Sequence, residues 1–175
     1  MKRYFNMLAV SVLCSGVMLS SCTDDIQIGT LDESHYDNVK ELKGAVRDAN
    51  NGKTSTIVEL RKKDYSTAVE FRLSRVPKQG VDVTISFDSE YLDTYNAEHG
   101  TSFKLYPADK VQIQHDGKIV MAPDDKASYS LDLVIPTLGT DEFEEDQTYL
   151  LPLKAEVKTD GVSVSKKESH CVYLV

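Results

Sequence analysis

The residues of this chain that could do chemistry are few, and several gather in one stretch, "YLDTYNAEHGTSFKLYP", Tyr91 to Pro107. Glu98 and His99 stand side by side there among three tyrosines, and both are residue types used in general acid–base catalysis. Glycoside hydrolysis needs two carboxyl groups flanking one bond, about 5 Å or about 6.5–9.5 Å apart. The nearest acid to Glu98 on that stretch is Asp93, which a helix would carry about 140° around its surface. Glu98 and His99 themselves would point about 100° apart, and no serine or cysteine motif accompanies them. The spacing predicts a packed connector, with no catalytic residues.

The remaining candidates are weaker. His35, His99, His115 and His170 are scattered, without the paired spacing of a zinc site, so no metal is expected. The run Asp141-Glu142-Phe143-Glu144-Glu145-Asp146 is the densest acidic cluster. Calcium could use such oxygens, but the alternating ligands and turn glycine of a dedicated loop are missing, so residues 141–146 read as a solvated loop. No glycine-rich phosphate loop and no Gly-x-Ser-x-Gly elbow occurs, so no cofactor is expected. A sugar face would stack on flat exposed aromatics, and the chain has no tryptophan. Tyr36, Tyr65 and Tyr106 are the best candidates for exposure, but their spacing makes no platform and assigns no ligand-binding residue.

Cysteine usage is more specific. Lys2 and Arg3 precede an apolar run, "MLAVSVLCSGVMLS", which is too short to span a bilayer and reads as a secretory signal over residues 1–21. Leu19-Ser20-Ser21-Cys22 matches a bacterial lipobox, so Cys22 is the expected lipidation site and the membrane a partner through that anchor. Cys14 lies in the signal, which leaves Cys171 as a small buried residue of the last strand and no internal disulfide. Residues 1–21 hold Lys2 and Arg3 and no acid, so 18 basic and 28 acidic residues follow, a net −10 against −8 for the whole chain. Nothing here offers nucleic acid a basic stripe. Thr23-Asp24-Asp25 after the cysteine resembles the surface-export signal of Bacteroidota lipoproteins. The expected location is the outer membrane, facing outward.

These residues must be held by strands. Residues 22–38 are polar and aperiodic and read as a lipidated tether reaching roughly 45 Å at about 3 Å per residue. From 39 to 175 the pattern alternates. Val81, Val83, Ile85 and Phe87 face Asp82, Thr84, Ser86 and Asp88. Val69-Phe71-Leu73, Tyr129-Leu131-Leu133-Ile135 and Tyr149-Leu151-Leu153-Ala155-Val157 repeat the arrangement. Such faces predict antiparallel strands with one side on a core. Weaker strands are expected at 40–48, 55–62, 110–114, 118–122 and 169–175, with a turn at Asn50-Asn51-Gly52. The fold class is all-β, an immunoglobulin-like antiparallel sandwich. One short helix is expected at about 89–99, capped by Asp88 or Ser89, ended by Gly100 and plugging one end of the sandwich. Tyr149 opens its strand where a tyrosine corner would sit, and Pro152 predicts an edge or bulged strand.

"VDVTISFDSEYLDTYNAEHGTSFKLYPADKV", "MAPDDKASYSLDLVIP" and "TYLLPLKAEV" together resemble a domain of unknown function common in Bacteroidota surface lipoproteins. That domain is found ahead of the catalytic barrel in family-18 endo-β-N-acetylglucosaminidases. The resemblance covers about residues 40–175. It implies a β-sandwich, a surface address and a setting in glycan capture, and it brings no catalytic residues. The Asp-x-x-Asp-x-Asp-x-Glu run of family-18 barrels occurs nowhere in the chain, and Val175 falls inside the last expected strand. The expectation is a non-catalytic accessory or interaction module in glycan binding or utilisation, free-standing or shortened from a longer chain. Two alternatives stay open: the N-terminal fragment of a larger surface glycosidase, or a pilin-like adhesive subunit exchanging strands at an open edge.

Overall fold

A computed structural model describes residues 41–59, 63–137, 144 and 146–175, and residues 40–175 make one compact unit. Cys22, Tyr36, the signal and the tether lie outside the described residues, as do 141–143 and 145 of the acidic run. The strands are β1 (Leu42–Asp48), β2 (Ser55–Ile57), β3 (Tyr65–Leu73), β4 (Val81–Phe87), β5 (Lys104–Leu105), β6 (Gln112–Ile113), β7 (Lys118–Met121), β8 (Ser128–Ile135), β9 (Tyr149–Val157), β10 (Val162–Val164) and β11 (His170–Leu174). One sheet has the order β10-β1-β3-β8-β6 and the other β2-β11-β9-β4-β7, with β5 also pairing β9. The protein is an all-β two-layer sandwich with a single α-helix among the described residues, α1 (Tyr91–His99).

Alternation built this core as expected. Val69, Phe71 and Leu73 of β3, Val81, Val83 and Ile85 of β4, and Leu131, Leu133 and Ile135 of β8 all point inward and are buried. Tyr149, Leu151, Leu153 and Ala155 of β9 meet them with Cys171 and Tyr173 of β11. Gly44 is needed where β1 crosses the core, because a Cβ there would lie 2.2 Å from the Phe71 ring. Burial pushes the Cys171 thiol up to about 12, so it packs as an apolar residue and supplies no thiolate near neutral pH.

Four details depart from the sequence reading. The main ladders are antiparallel, but β1–β10, β2–β11 and β5–β9 run parallel. The turn after β1 forms, with Asp48 accepting from the Asn50 and Asn51 amides at 2.9 and 3.2 Å. It carries the chain from one sheet to the other and makes no hairpin. Tyr106, expected at the surface, is 1% exposed and donates its hydroxyl to the Pro136 carbonyl, while Tyr65 is half-buried against the core. Pro152 lies in a central strand, between β11 and β4.

Pro152 is tolerated there for a local reason. Its partner Val172 donates away from it, to the Thr54 carbonyl, so Pro152 needs no bond on the β11 side. On the other side β5 pairs with Tyr149 and Leu150, and β4 begins opposite Leu153. The Pro152 carbonyl is still bonded on that side, accepting from the Asp88 amide at 3.0 Å, and the Asp88 carbonyl accepts from the Tyr91 amide at 3.3 Å, so the missing N–H leaves neither carbonyl unmet.

Candidate functional site

The stretch that opened the sequence reading leaves β4, forms α1 and returns through β5. Its helix covers the outer face of the second sheet; it does not plug an end. The cause is visible in β9 and β11. Leu150 and Val172 point away from the main core, yet both are buried, under Tyr95 with Tyr91, Leu92, Phe103 and Leu174 packed around them. A nine-residue helix is too short to persist alone in water, so this second small core holds it.

The ends of the helix follow different rules. Gly100 takes the left-handed conformation at φ 64° and closes α1 as expected. Neither Asp88 nor Ser89 caps its start: Glu90 occupies that position without a side-chain bond. Asn96 shapes the return. Its side-chain oxygen accepts from the Thr101 hydroxyl at 2.8 Å and the Phe103 amide at 3.0 Å, and its nitrogen donates to the Phe103 carbonyl at 3.0 Å. The Tyr106 amide then donates to Leu150. Tyr149 forms its corner, accepting from the Glu144 amide at 3.1 Å. The quoted Tyr-Asn, Gly-Thr, Tyr-Pro and Thr-Tyr-Leu-Leu-Pro-Leu motifs are thus the parts that dock this excursion on the sheet.

Asp88 instead turns to β11. His170 Nε2 lies 3.0 Å from the Asp88 carboxylate, and Nδ1 lies 2.9 Å from the Ser169 hydroxyl. A carboxylate accepts only, so Nε2 carries a proton and donates it to Asp88. Lys154 Nζ stands 3.8 Å from the same carboxylate. The arrangement holds the His170 ring flat against Tyr91, with centroids 3.8 Å apart and planes within 6°. Serine, histidine and aspartate meet here, but Ser169 and His170 are chain neighbours, and Ser169 also lies 3.3 Å from the Lys166 carbonyl. This network fixes an aromatic surface.

Beside that stack is a cleft of about 260 Å³, lined by Tyr91, Tyr95, His99, Lys166, Lys167 and His170 with hydroxyls from Thr54, Ser55 and Ser169. His99 leans on Tyr95 with ring centroids 4.2 Å apart. Burial, then Glu98 and Tyr95 nearby, holds the Tyr91 phenol above its ordinary value, so its hydroxyl stays a donor. Of the residues singled out in the sequence, His99 lines the cleft and Glu98 sits exposed beside it. Sequence reasoning missed His170, Ser169, Lys166 and Lys167. The available signal was "YLLPL": Leu150 and Leu151 are apolar on both strand faces, which marks a strand covered twice.

The fold defines the class: an all-β two-layer sandwich with one helix packed on an outer face. The family model described as "-like, N-terminal domain" matches residues 27–162, and the chain belongs to that family of N-terminal domains. Among solved structures, Bacteroides thetaiotamicron EndoBT-3987 with Man5GlcNAc product is similar, with a TM-score of 0.66 and 30% identity over 74% of this chain and 30% of that one. This chain therefore spans under a third of that protein's length. A Bacteroides ovatus protein described as carbohydrate binding shares the fold at a TM-score of 0.56 and 18% identity, over 69% of this chain and 33% of that one. So does a two-domain protein of unknown function from Bacteroides fragilis, at a TM-score of 0.56 and 10% identity, over 75% and 45%. No curated protein matches the chain.

Proposed function

We propose that this protein is a cell-surface lipoprotein whose sandwich is a non-catalytic module engaging glycans during their acquisition, with the α1–β11 cleft as its contact surface. The observation that carries the reading is the cleft itself: Tyr91 and Tyr95, the imidazoles of His99 and His170, and three hydroxyls line one concavity. Aromatic walls with a few placed polar groups are what small-ligand sites are made of. The relationship to EndoBT-3987, a structure holding a glycan product, supports the choice of ligand. Cys22 anchors the module at the outer membrane, and the lipobox residues 19–22 support that part.

The test of binding is a glycan panel against the purified full chain and its Tyr91→Ala variant. Binding that weakens tenfold or more in the variant, with folding intact by thermal melt, supports the cleft; no binding by any glycan rejects it. For the anchor, fatty-acid labelling and membrane association should disappear in Cys22→Ala, and unchanged labelling rejects the lipobox. The family's place as an N-terminal domain favours a second reading, in which the module serves glycosidase chemistry carried out elsewhere. The panel separates the two, since a module that only positions an enzyme binds no glycan itself.

A further inference from the structure

We infer that the α1–β11 cleft takes an acidic saccharide, one bearing carboxylate or sulfate groups, with Lys166 and Lys167 as its charge partners. This rests on the reading above that the module engages glycans there. The chain is acidic overall, and several of its lysines spend their charge on its own acids. Lys43 pairs with Glu41, Lys78 with Asp124, Lys104 with Glu144, and Lys154 with Glu156 and Asp88. Lys166 and Lys167 line the cleft, are exposed, and join no ion pair among the described residues. Glu168, which follows them, is turned to Arg47.

The acids near the cleft leave those charges available. Asp88, below the rings, is engaged by His170 and Lys154. Glu98 on α1 faces Tyr91, close enough to raise its phenol, and is the repulsive element at the rim. Against it stand the two lysines. Charge-assisted bonds from ammonium groups to carboxylate or sulfate oxygens are shorter and stronger than neutral ones. In a mostly acidic molecule, a local pair of free cations selects anions over neutral sugars of the same shape. Thr54, Ser55, Ser169 and Tyr91 offer hydroxyls suited to the remaining sugar oxygens. The volume, about 260 Å³, lies below the usual range for drug-sized ligands, about 300–1,000 Å³. One ring would enter, with the rest of the chain outside.

The experiment is calorimetric titration of the full chain with three oligosaccharides of equal length: a galacturonate, a sulfated glucosamine-uronate and a neutral mannose oligomer. At least one acidic probe should bind tenfold or more tightly than the neutral one, and the two acidic arms decide between carboxylate and sulfate. Lys166→Ala/Lys167→Ala should remove that advantage, Lys166→Arg/Lys167→Arg should keep it, and Glu98→Gln should raise acidic-probe affinity two- to threefold. Neutral binding as tight as acidic, still lost in Tyr91→Ala, overturns the acidic assignment and leaves the glycan reading standing. Unchanged acidic binding in the lysine-to-alanine pair overturns it as well, as does equal binding of a single-stranded oligonucleotide. Failure of all three sugars overturns the acidic assignment, and the wider glycan panel then decides the reading beneath it.

Discussion

The outer faces of the two sheets contrast sharply. On the first sheet, Ser66, Ala68, Glu70 and Arg72 of β3 lie beside Ser130, Asp132 and Val134 of β8, all exposed or half-buried. On the second, Leu150 and Val172 occupy the equivalent side and are buried under α1. The first face meets water and keeps strict alternation; the second is a small core of its own. The proposed contact surface thus lies where one sheet is sealed a second time. The cleft follows from that sealing, since the helix brings Tyr91, Tyr95 and His99 to the edge of β11.

The largest test of this contrast is truncation on either face. Leu150→Ala should cost about 2–5 kcal/mol, as for a fully buried leucine, whereas Ser130→Ala should change stability by less than about 0.5 kcal/mol. Urea melts of both variants measure it, and equal effects would dissolve the distinction between the faces.

Cys171 and Val172 separate the two cores, because consecutive strand residues point opposite ways. In Leu150→Ala the amides of α1 should exchange faster while Cys171 stays inert to thiol reagents until global unfolding. A reactive Cys171 in the folded variant would mean that the helix guards the main core too. The same thiol gives an alkaline limb. Its folded value of about 12 lies above the ordinary 9.0, so the unfolded chain loses the proton first. Stability should be full below pH 9 and fall towards pH 12, by about 1.4 kcal/mol per pH unit from this group. Cys171→Ala should flatten that slope, leaving the contribution of buried Tyr173, whose phenol is also raised.

A smaller effect belongs to the return loop. Asn96→Ala leaves the Phe103 amide and carbonyl without their partner and should cost about 1–3 kcal/mol. Asn96→Asp keeps the acceptor and should cost less. Ring-current shifts of Tyr91 and His170 would show whether the loop also tunes the cleft; unchanged shifts would confine Asn96 to the helix return.

Much of the sandwich was legible in Val81–Asp88 and its counterparts, because a strand with one wet face writes its burial in alternate residues. The helix at 91–99 and Gly100 were legible too, as the break in that pattern and the one residue suited to φ 64°. What covers what was not. Leu150 and Val172 show where a second layer must lie, but only tertiary pairing brings Asp88 to His170, 82 positions apart. Tyr106 misled because a tyrosine beside a proline in a polar loop looks solvated, and its burial depends on Pro136, 30 positions away. The Lys166–Lys167 pair carries no pattern of its own; it gains meaning from the tyrosines across the cleft.

Pro152 has a consequence for how such a surface can change. Along β9 the pairing before Pro152 is set by β5 and the pairing after it by β4, with the Asp88 amide donating to the Pro152 carbonyl at 3.0 Å between them. Each register is therefore held by its own pairs, and lengthening the segment between Asp88 and Lys104 shifts neither. The sheet works as a socket with a fixed rim, into which excursions of different length and side-chain chemistry can be seated while the sandwich beneath keeps its alignment.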